Sequence, residues 1–183
     1  MSQLPVFSKP KICLATQSYL LARYTQAFIN FVEPQIEGLV EETIKRLQFM
    51  PFDVEGRYIA HGGGKSSTLL IEICALAGIS LPVVYSITPG WISPPVHKTL
   101  NCYYYVTTLS DVVELDLKTC ISGRRSTKGG VMKVRGLDHP VDQMPLYLNE
   151  GSSPLDYVFP VFDWSDAQVD VALAKFLAPF VEA

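Results

Sequence analysis

The spacing of apolar residues changes period along the chain. Over residues 19–31, Leu20, Tyr24, Phe28 and Phe31 recur at the three- or four-residue interval that lines one face of a helix. Pro34 has no N–H to donate to the preceding turn, so it breaks that run and can open the next. Ile36, Leu39, Val40, Ile44 and Leu47 form a second stripe. Glu33, Glu37, Glu41 and Glu42 come before Lys45 and Arg46, an order that suits the helix dipole. The pattern predicts two amphipathic helices in a 1–50 helical segment, packed on the core or on a partner subunit.

From residue 51 the period shortens and alternates with helix. "RYIAH" (57–61), "LPVVYSI" (81–87), "YYYVTT" (103–108) and "VELDLKTCIS" (113–122) read as strands. A helix over 66–77 is closed by Gly78 at a C′-like position. Pro89, Gly90, Pro94 and Pro95 mark a loop, and a glycine- and charge-rich loop is expected over 123–151. In "DWSDAQVDVALAKFL", Ser165 and Gln168 form a capping box before the stripe Val169, Ala172, Leu173, Phe176 and Phe180. Strands separated by helices predict a mostly parallel α/β sheet over 51–183. Ligands of such sheets bind beyond the carboxyl ends of the strands.

Composition narrows the class. A chain of 183 residues that is 48% hydrophobic and 18% charged predicts one domain with a full core. No run approaches 18 apolar residues, and the first residues lack a signal-peptide pattern, so a cytoplasmic protein without membrane contact is expected. A net charge of −3 gives no global case for nucleic-acid binding. Cysteines 13, 74, 102 and 120 lack zinc-ligand spacing and read as reduced, buried thiols. Cys120 is the reactive candidate, because the basic segment after it could lower its pKa.

The candidate chemistry sits in "YIAHGGGKSSTLL" (58–70). A strand that turns into a helix through glycines exposes backbone N–H groups to an anion, and glycine allows φ > 0. The helix N-terminus adds partial positive charge, Lys65 a full one, and Ser66, Ser67 and Thr68 hydroxyl donors. The expected guest is an oxyanion; a tight turn without a guest is the alternative. His61 precedes the loop as a candidate acid, base or phosphoryl donor, with a strand-capping role as the alternative. The ATPase pattern needs a glycine where Ile59 stands, and the dinucleotide pattern needs one where Ser67 stands.

Residues 62–68, "GGGKSST", resemble the S-G-G-K-D-S motif of the PP-loop, or adenine nucleotide alpha-hydrolase-like, superfamily. Gly63, Gly64, Lys65 and Ser67 match; Gly62 replaces its serine and Ser66 its aspartate. Further on, "ISGRRS" (121–126) is similar to an arginine turn of phosphoadenylyl-sulfate (PAPS) reductases, through Gly123, Arg124, Arg125 and Ser126. "FPVFDWSDAQVDV" (159–171) resembles a helix-opening segment of the same proteins, through Pro160, Asp163, Trp164, Ser165 and Val169. The resemblance implies a three-layer α/β fold, a mostly parallel twisted sheet flanked by helices, to which the periodicity of the first fifty residues adds two extra N-terminal helices. It implies an adenine nucleotide as ligand: ATP, PAPS or adenylyl sulfate. Gly62, Gly63, Gly64, Lys65, Ser66 and Ser67 would hold one anionic group and Gly123, Arg124, Arg125 and Ser126 another. Lys65 and His61 are the catalytic candidates of a PAPS reductase-like or ATP pyrophosphatase-type enzyme.

Two departures from the family shape the expected mechanism. Ser66 supplies no charge for Mg²⁺, so metal dependence is doubtful and no metal ligand is assigned. The family's nucleophilic cysteine lies in a C-terminal Glu-Cys-Gly-Leu-His segment, whereas the last cysteine here is Cys120. A thiol would then come from a protein partner. Five cations, Arg124, Arg125, Lys128, Lys133 and Arg135, stand within twelve residues without an acid. Their arginine forks suit phosphate or sulfate; an exposed basic loop and a nucleic-acid contact are the alternatives. His97 and His139 lie in loops and receive no role. Three functional readings stay open: a sulfonucleotide or sulfur-transfer enzyme, a catalytically degenerate nucleotide-binding subunit, and a nucleic-acid-modification accessory. A homodimer is expected.

Overall fold

The computed structural model describes residues 19–62, 64–86, 104–106, 115–126, 131–134, 137–140, 145–149 and 155–177. A helical turn at 19–21 precedes the long helix α1, Gln26–Gln48. Thr25 caps it from an extended conformation, its hydroxyl accepting from the Phe28 amide at 3.3 Å. The break between the N-terminal helical pieces therefore falls at 22–25, and not at Pro34, which lies inside α1. Pro34 is exposed, so water can replace the one backbone bond it forgoes. The buried stripe of α1 is Val32, Ile36, Val40, Thr43 and Leu47, while Phe28 and Phe31 face solvent. With the helix starting at residue 26, its first turn holds no acid and the glutamates fall mid-helix. Only Lys45 and Arg46, in the last turn, complement the dipole.

Strand β1, Arg57–His61, occupies the centre of a six-stranded sheet. Helix α2, Lys65–Leu76, leads to β2, Val83–Ser86, and then β3, Tyr104–Val106. The chain crosses back to β4, Thr119–Ser122, on the other side of β1. β4 is shorter than expected, because Leu115 and Asp116 form a turn with Asp116 at φ 52°. That turn packs on Gly56, itself at φ 74°, where a Cβ would lie 2.7 Å from the Asp116 carbonyl.

The expected loop over 123–151 is also partly ordered strand. β5, Val131–Val134, and β6, Leu137–Pro140, pair antiparallel as a separate hairpin. β7, Tyr147–Leu148, joins the main sheet antiparallel to β8, Asp156–Val158. The order is β3-β2-β1-β4-β8-β7, with every neighbour pair parallel except the last.

Helix α3, Asp166–Leu177, opens on the expected capping box: the Ser165 amide donates to Gln168 Oε1 at 2.8 Å, and the Gln168 amide to Ser165 Oγ at 3.2 Å. α2 ends on Gly78 at φ 67°, where the Ile79 amide reaches Cys74 O at 2.8 Å and the Gly78 amide reaches Ala75 O at 3.2 Å. That pair of bonds is the Schellman termination.

The pleat sorts the core into two faces. Ile59, Val83, Ile121 and Val158 point to the described helices and meet Leu69, Leu70, Ile73, Val169 and Leu173. Tyr58, Val84, Cys120 and Leu155 form a smaller cluster on the opposite face. Each fully buried Leu, Ile or Val contributes about 1.5–3 kcal/mol, so the helix-facing cluster dominates stability. No described helix is long and apolar enough to cross a membrane.

Candidate functional site at the sheet's switch point

The chain leaves β1 toward β2 on one side and returns from β3 to β4 on the other. The winding direction reverses between β1 and β4, and the loops after those two strands diverge there. They bound a cleft of about 490 Å³. Ala60, Gly62 and Gly64 line it from the β1 side, residues 65–67 from the first turn of α2, and residues 122–125 from beyond β4. The structure thus brings the two sequence-predicted segments together. Gly63 lies outside the described residues.

The glycines are there for different reasons. Gly62 and Gly64 do not use φ > 0; among the described glycines only Gly56 and Gly78 do. A Cβ on either would meet no protein atom within 4 Å. What their bare backbone faces is the open cleft. At Gly123 a Cβ would sit 2.6 Å from the Ser67 amide nitrogen and 2.7 Å from the Ser66 carbonyl carbon. The absence of a side chain there lets the β4 loop close onto the first turn of α2.

Gly64 is the N-cap of α2, extended at φ −89°, and offers no side-chain acceptor to the first-turn amides. The Ser67 and Thr68 hydroxyls turn back to the Gly64 carbonyl at 2.9 and 3.0 Å, leaving Ser66 half-buried at the cleft. His61 is fully buried beneath the loop, its Nδ1 2.7 Å from Ser67 Oγ. Since Ser67 donates to Gly64, Nδ1 carries the proton of that contact. Burial lowers the His61 pKa to about 4, so the ring is neutral at pH 7. It ties the strand to the helix and does not line the cleft.

Lys65 reaches the cleft rim, but its Nζ lies 2.5 Å from Oδ1 of Asp170, a fully buried carboxylate on α3. The other oxygen, Oδ2, accepts from Arg23 and, at 2.9 Å, from the Tyr24 hydroxyl. The two neighbouring arginines divide as well. Arg124 stands at the cleft, its amide donating to Ser122 Oγ at 3.3 Å. The Arg125 guanidinium is 1% exposed and is spent on α3: Nη1 donates to the Trp164 carbonyl at 3.3 Å, and Nη2 pairs with Asp166. Ser126 anchors the turn, its amide and hydroxyl both donating to the Phe162 carbonyl at 2.7 and 3.0 Å.

The 159–165 segment is held from α1 too. Arg46 takes both oxygens of Asp163 at 2.7 and 2.9 Å. Trp164 Nε1 donates to Thr43 Oγ1 at 3.1 Å. Trp164 thus fixes the start of α3 against α1, while Arg125 holds it from the cleft wall. Sequence reasoning missed Asp170, Asp166 and Arg23. The available signal was a carboxylate within the otherwise apolar run Val169–Asp170–Val171–Ala172.

The sequence matches no protein-family model, and no curated protein matches it either. Solved structures do match. Yeast FAD synthetase, in its complex with FAD, aligns with a TM-score of 0.52 at 13% identity, covering 86% of this chain and 63% of that one. The likeness to the synthetase is one of fold, a mostly parallel α/β sheet flanked by helices. The chain spans less than two thirds of that synthetase's length. The phosphate complex of PAPS reductase from Candida auris aligns with a TM-score of 0.45 at 15% identity, covering 83% of this chain and 87% of that one.

Within this α/β fold the expected reactivity of Cys120 is corrected. β4 buries the thiol on the sheet face away from the described helices, and burial pushes its pKa up to about 11 despite a hydrogen bond with Tyr58. Cys74 is likewise buried, its pKa pushed up to about 12. Neither is a thiolate at neutral pH. Cys13, Cys102, His97, Lys128 and Arg135 lie outside the described residues. Lys133 and His139 fall in the β5–β6 hairpin.

Proposed function

We propose that the cleft binds an adenine nucleotide by its phosphate or sulfate end. The observation that carries this is the open backbone of Gly62 and Gly64 at an N-cap without a side-chain acceptor, facing Arg124. First-turn amides and a guanidinium fork recognise tetrahedral oxyanions. Gly62, Gly63, Gly64, Ser66 and Ser67 are assigned to one anionic group through backbone amides, and Gly123, Arg124 and Ser126 frame the second. Arg125 serves that frame from behind by holding α3. Lys65 supplies charge from the rim, and His61 positions the loop.

The described lining contains no carboxylate, a donor set that suits metal-independent capture of a sulfonucleotide better than Mg–ATP. PAPS or adenylyl sulfate is therefore the favoured guest. Among the described residues the cysteines, Cys74 and Cys120, are buried, which favours a thiol drawn from a partner protein. The burial of the two described thiols also supports the second reading, a nucleotide-binding subunit without reductase activity of its own. Either reading fits a cytoplasmic homodimer in which the 1–50 segment docks on the 51–183 domain.

Calorimetric titration with ATP, AMP, adenylyl sulfate and PAPS, each with and without Mg²⁺, tests this. Binding of a sulfonucleotide at micromolar level without metal is expected. Mg²⁺-dependent ATP binding would replace the sulfonucleotide reading by an adenylating one, and no binding of any of the four would refute the assignment of the cleft.

A further inference from the structure

Asp170 is buried on α3 with both oxygens in use, and its partners come from two distant places. Lys65, on Oδ1, belongs to the cleft. Arg23 and Tyr24, on Oδ2, belong to the stretch just before α1. The Arg23 guanidinium also lies over the Tyr24 ring, 4.9 Å from its centroid, and that ring stacks on Phe28 of α1 at 5.5 Å. The Arg23 side chain is half-exposed, whereas Asp170 is enclosed, so the carboxylate is the fixed element and the Arg23 guanidinium the part that can leave, in a stretch that Leu20 otherwise seats in the helix-facing core.

We propose that Asp170 couples the seating of residues 19–25 to oxyanion binding in the cleft, with Lys65 as the shared element. The reasoning is charge bookkeeping at one carboxylate. With Arg23 in place, two cations share one anion, and Lys65 presents net positive charge to the cleft. With Arg23 withdrawn, Lys65 and Asp170 neutralise each other as a pair. An oxyanion at the loop then meets a weaker field and must compete with Asp170 for the ammonium group. By linkage, an anion that favours the seated state tightens the N-terminal stretch by the same factor. Asp170 is a positioning residue for Lys65, and the 19–25 stretch acts on the cleft without touching it. The inference rests on the cleft binding an oxyanion.

The test uses ATP and inorganic pyrophosphate as probes on the full chain. Arg23→Ala should weaken both about three- to tenfold, Arg23→Lys should restore most of the affinity, and Tyr24→Phe should weaken them less than Arg23→Ala. Hydrogen exchange at residues 19–25 should slow when the wild-type protein is saturated with ATP. Thermal melting of each variant separates a folding defect from the coupling. Arg23→Ala with wild-type affinity, equal loss in Arg23→Ala and Arg23→Lys, or exchange at 19–25 indifferent to ATP would each overturn the coupling while the cleft assignment stands. A wild-type protein that binds neither probe would overturn the coupling, and one that also fails to bind AMP, adenylyl sulfate and PAPS would overturn the cleft assignment with it.

Discussion

Gly123 and Gly62 should respond oppositely to the same one-methyl change. At Gly123 the added Cβ would stand 2.6 and 2.7 Å from backbone atoms of residues 67 and 66, where ordinary contact begins near 3.4 Å. The β4 loop and α2 must then part by roughly 0.8 Å, against a steep repulsive wall. Overpacking costs ~1–3 kcal/mol, and a clash with backbone on both sides puts Gly123→Ala at about 3 kcal/mol. For a chain of this size that lowers the melting temperature by roughly 6–12 °C. At Gly62 the methyl enters open space without φ strain, so Gly62→Ala should leave the melting temperature unchanged or raise it slightly. The same methyl projects into the cleft, and ATP or PAPS affinity should fall tenfold or more. Calorimetric melting and ligand titration on the two variants read both effects. The reasoning fails if Gly123→Ala melts like wild type, or if Gly62→Ala binds nucleotide as tightly as the parent.

The two arginines should separate in the same pair of assays: Arg124→Ala lowers affinity about tenfold with little change in melting, whereas Arg125→Ala chiefly lowers melting. The reverse pattern would invert their assignment. Burial lowers the His61 pKa from 6.5 to about 4. Below pH 6.5 the unfolded chain takes up a proton that the folded chain refuses, so stability falls as pH drops toward 4. Between pH 7 and 5 the wild type should lose about 2 kcal/mol more than His61→Gln in urea melts; parallel losses would place His61 in a wetter site. In a Cys13→Ser, Cys102→Ser chain a thiol reagent should titrate Cys74 and Cys120 only after denaturation, and rapid labelling of the folded chain would contradict their burial.

Features set by local chemistry were legible in the sequence. The Ser165–Gln168 capping box, the Gly78 termination and the limits of β1 all follow from short-range rules plus the α/β pattern, while the meeting of the glycine loop with the 121–126 turn was implied by the family resemblance. What was illegible depended on partners far along the chain. Pro34 reads as a break because its missing N–H is a local fact, while the burial of Val32, Ile36 and Val40 that carries the helix through it is not. The 131–140 hairpin was hidden by glycines and charges that read as loop. Arg124 and Arg125 look alike in sequence, and only the position of Asp166 and Trp164 shows that one of them faces inward. The positive neighbourhood of Cys120 suggested a thiolate, but side chains alternate across a strand, and β4 turns this one into the sheet.

The anchoring of the cleft wall also sets when the site can come into being. Trp164 reaches Thr43 across 121 positions, Asp163 reaches Arg46 across 117, and Asp170 reaches Lys65 across 105. Such contacts repay their loop-closure entropy only late, which slows folding. On the ribosome, a nascent chain has its glycine loop early, but the wall that frames it waits for α3 to emerge. The proposed nucleotide capture is then a property of the finished fold, closed to any intermediate that lacks α3.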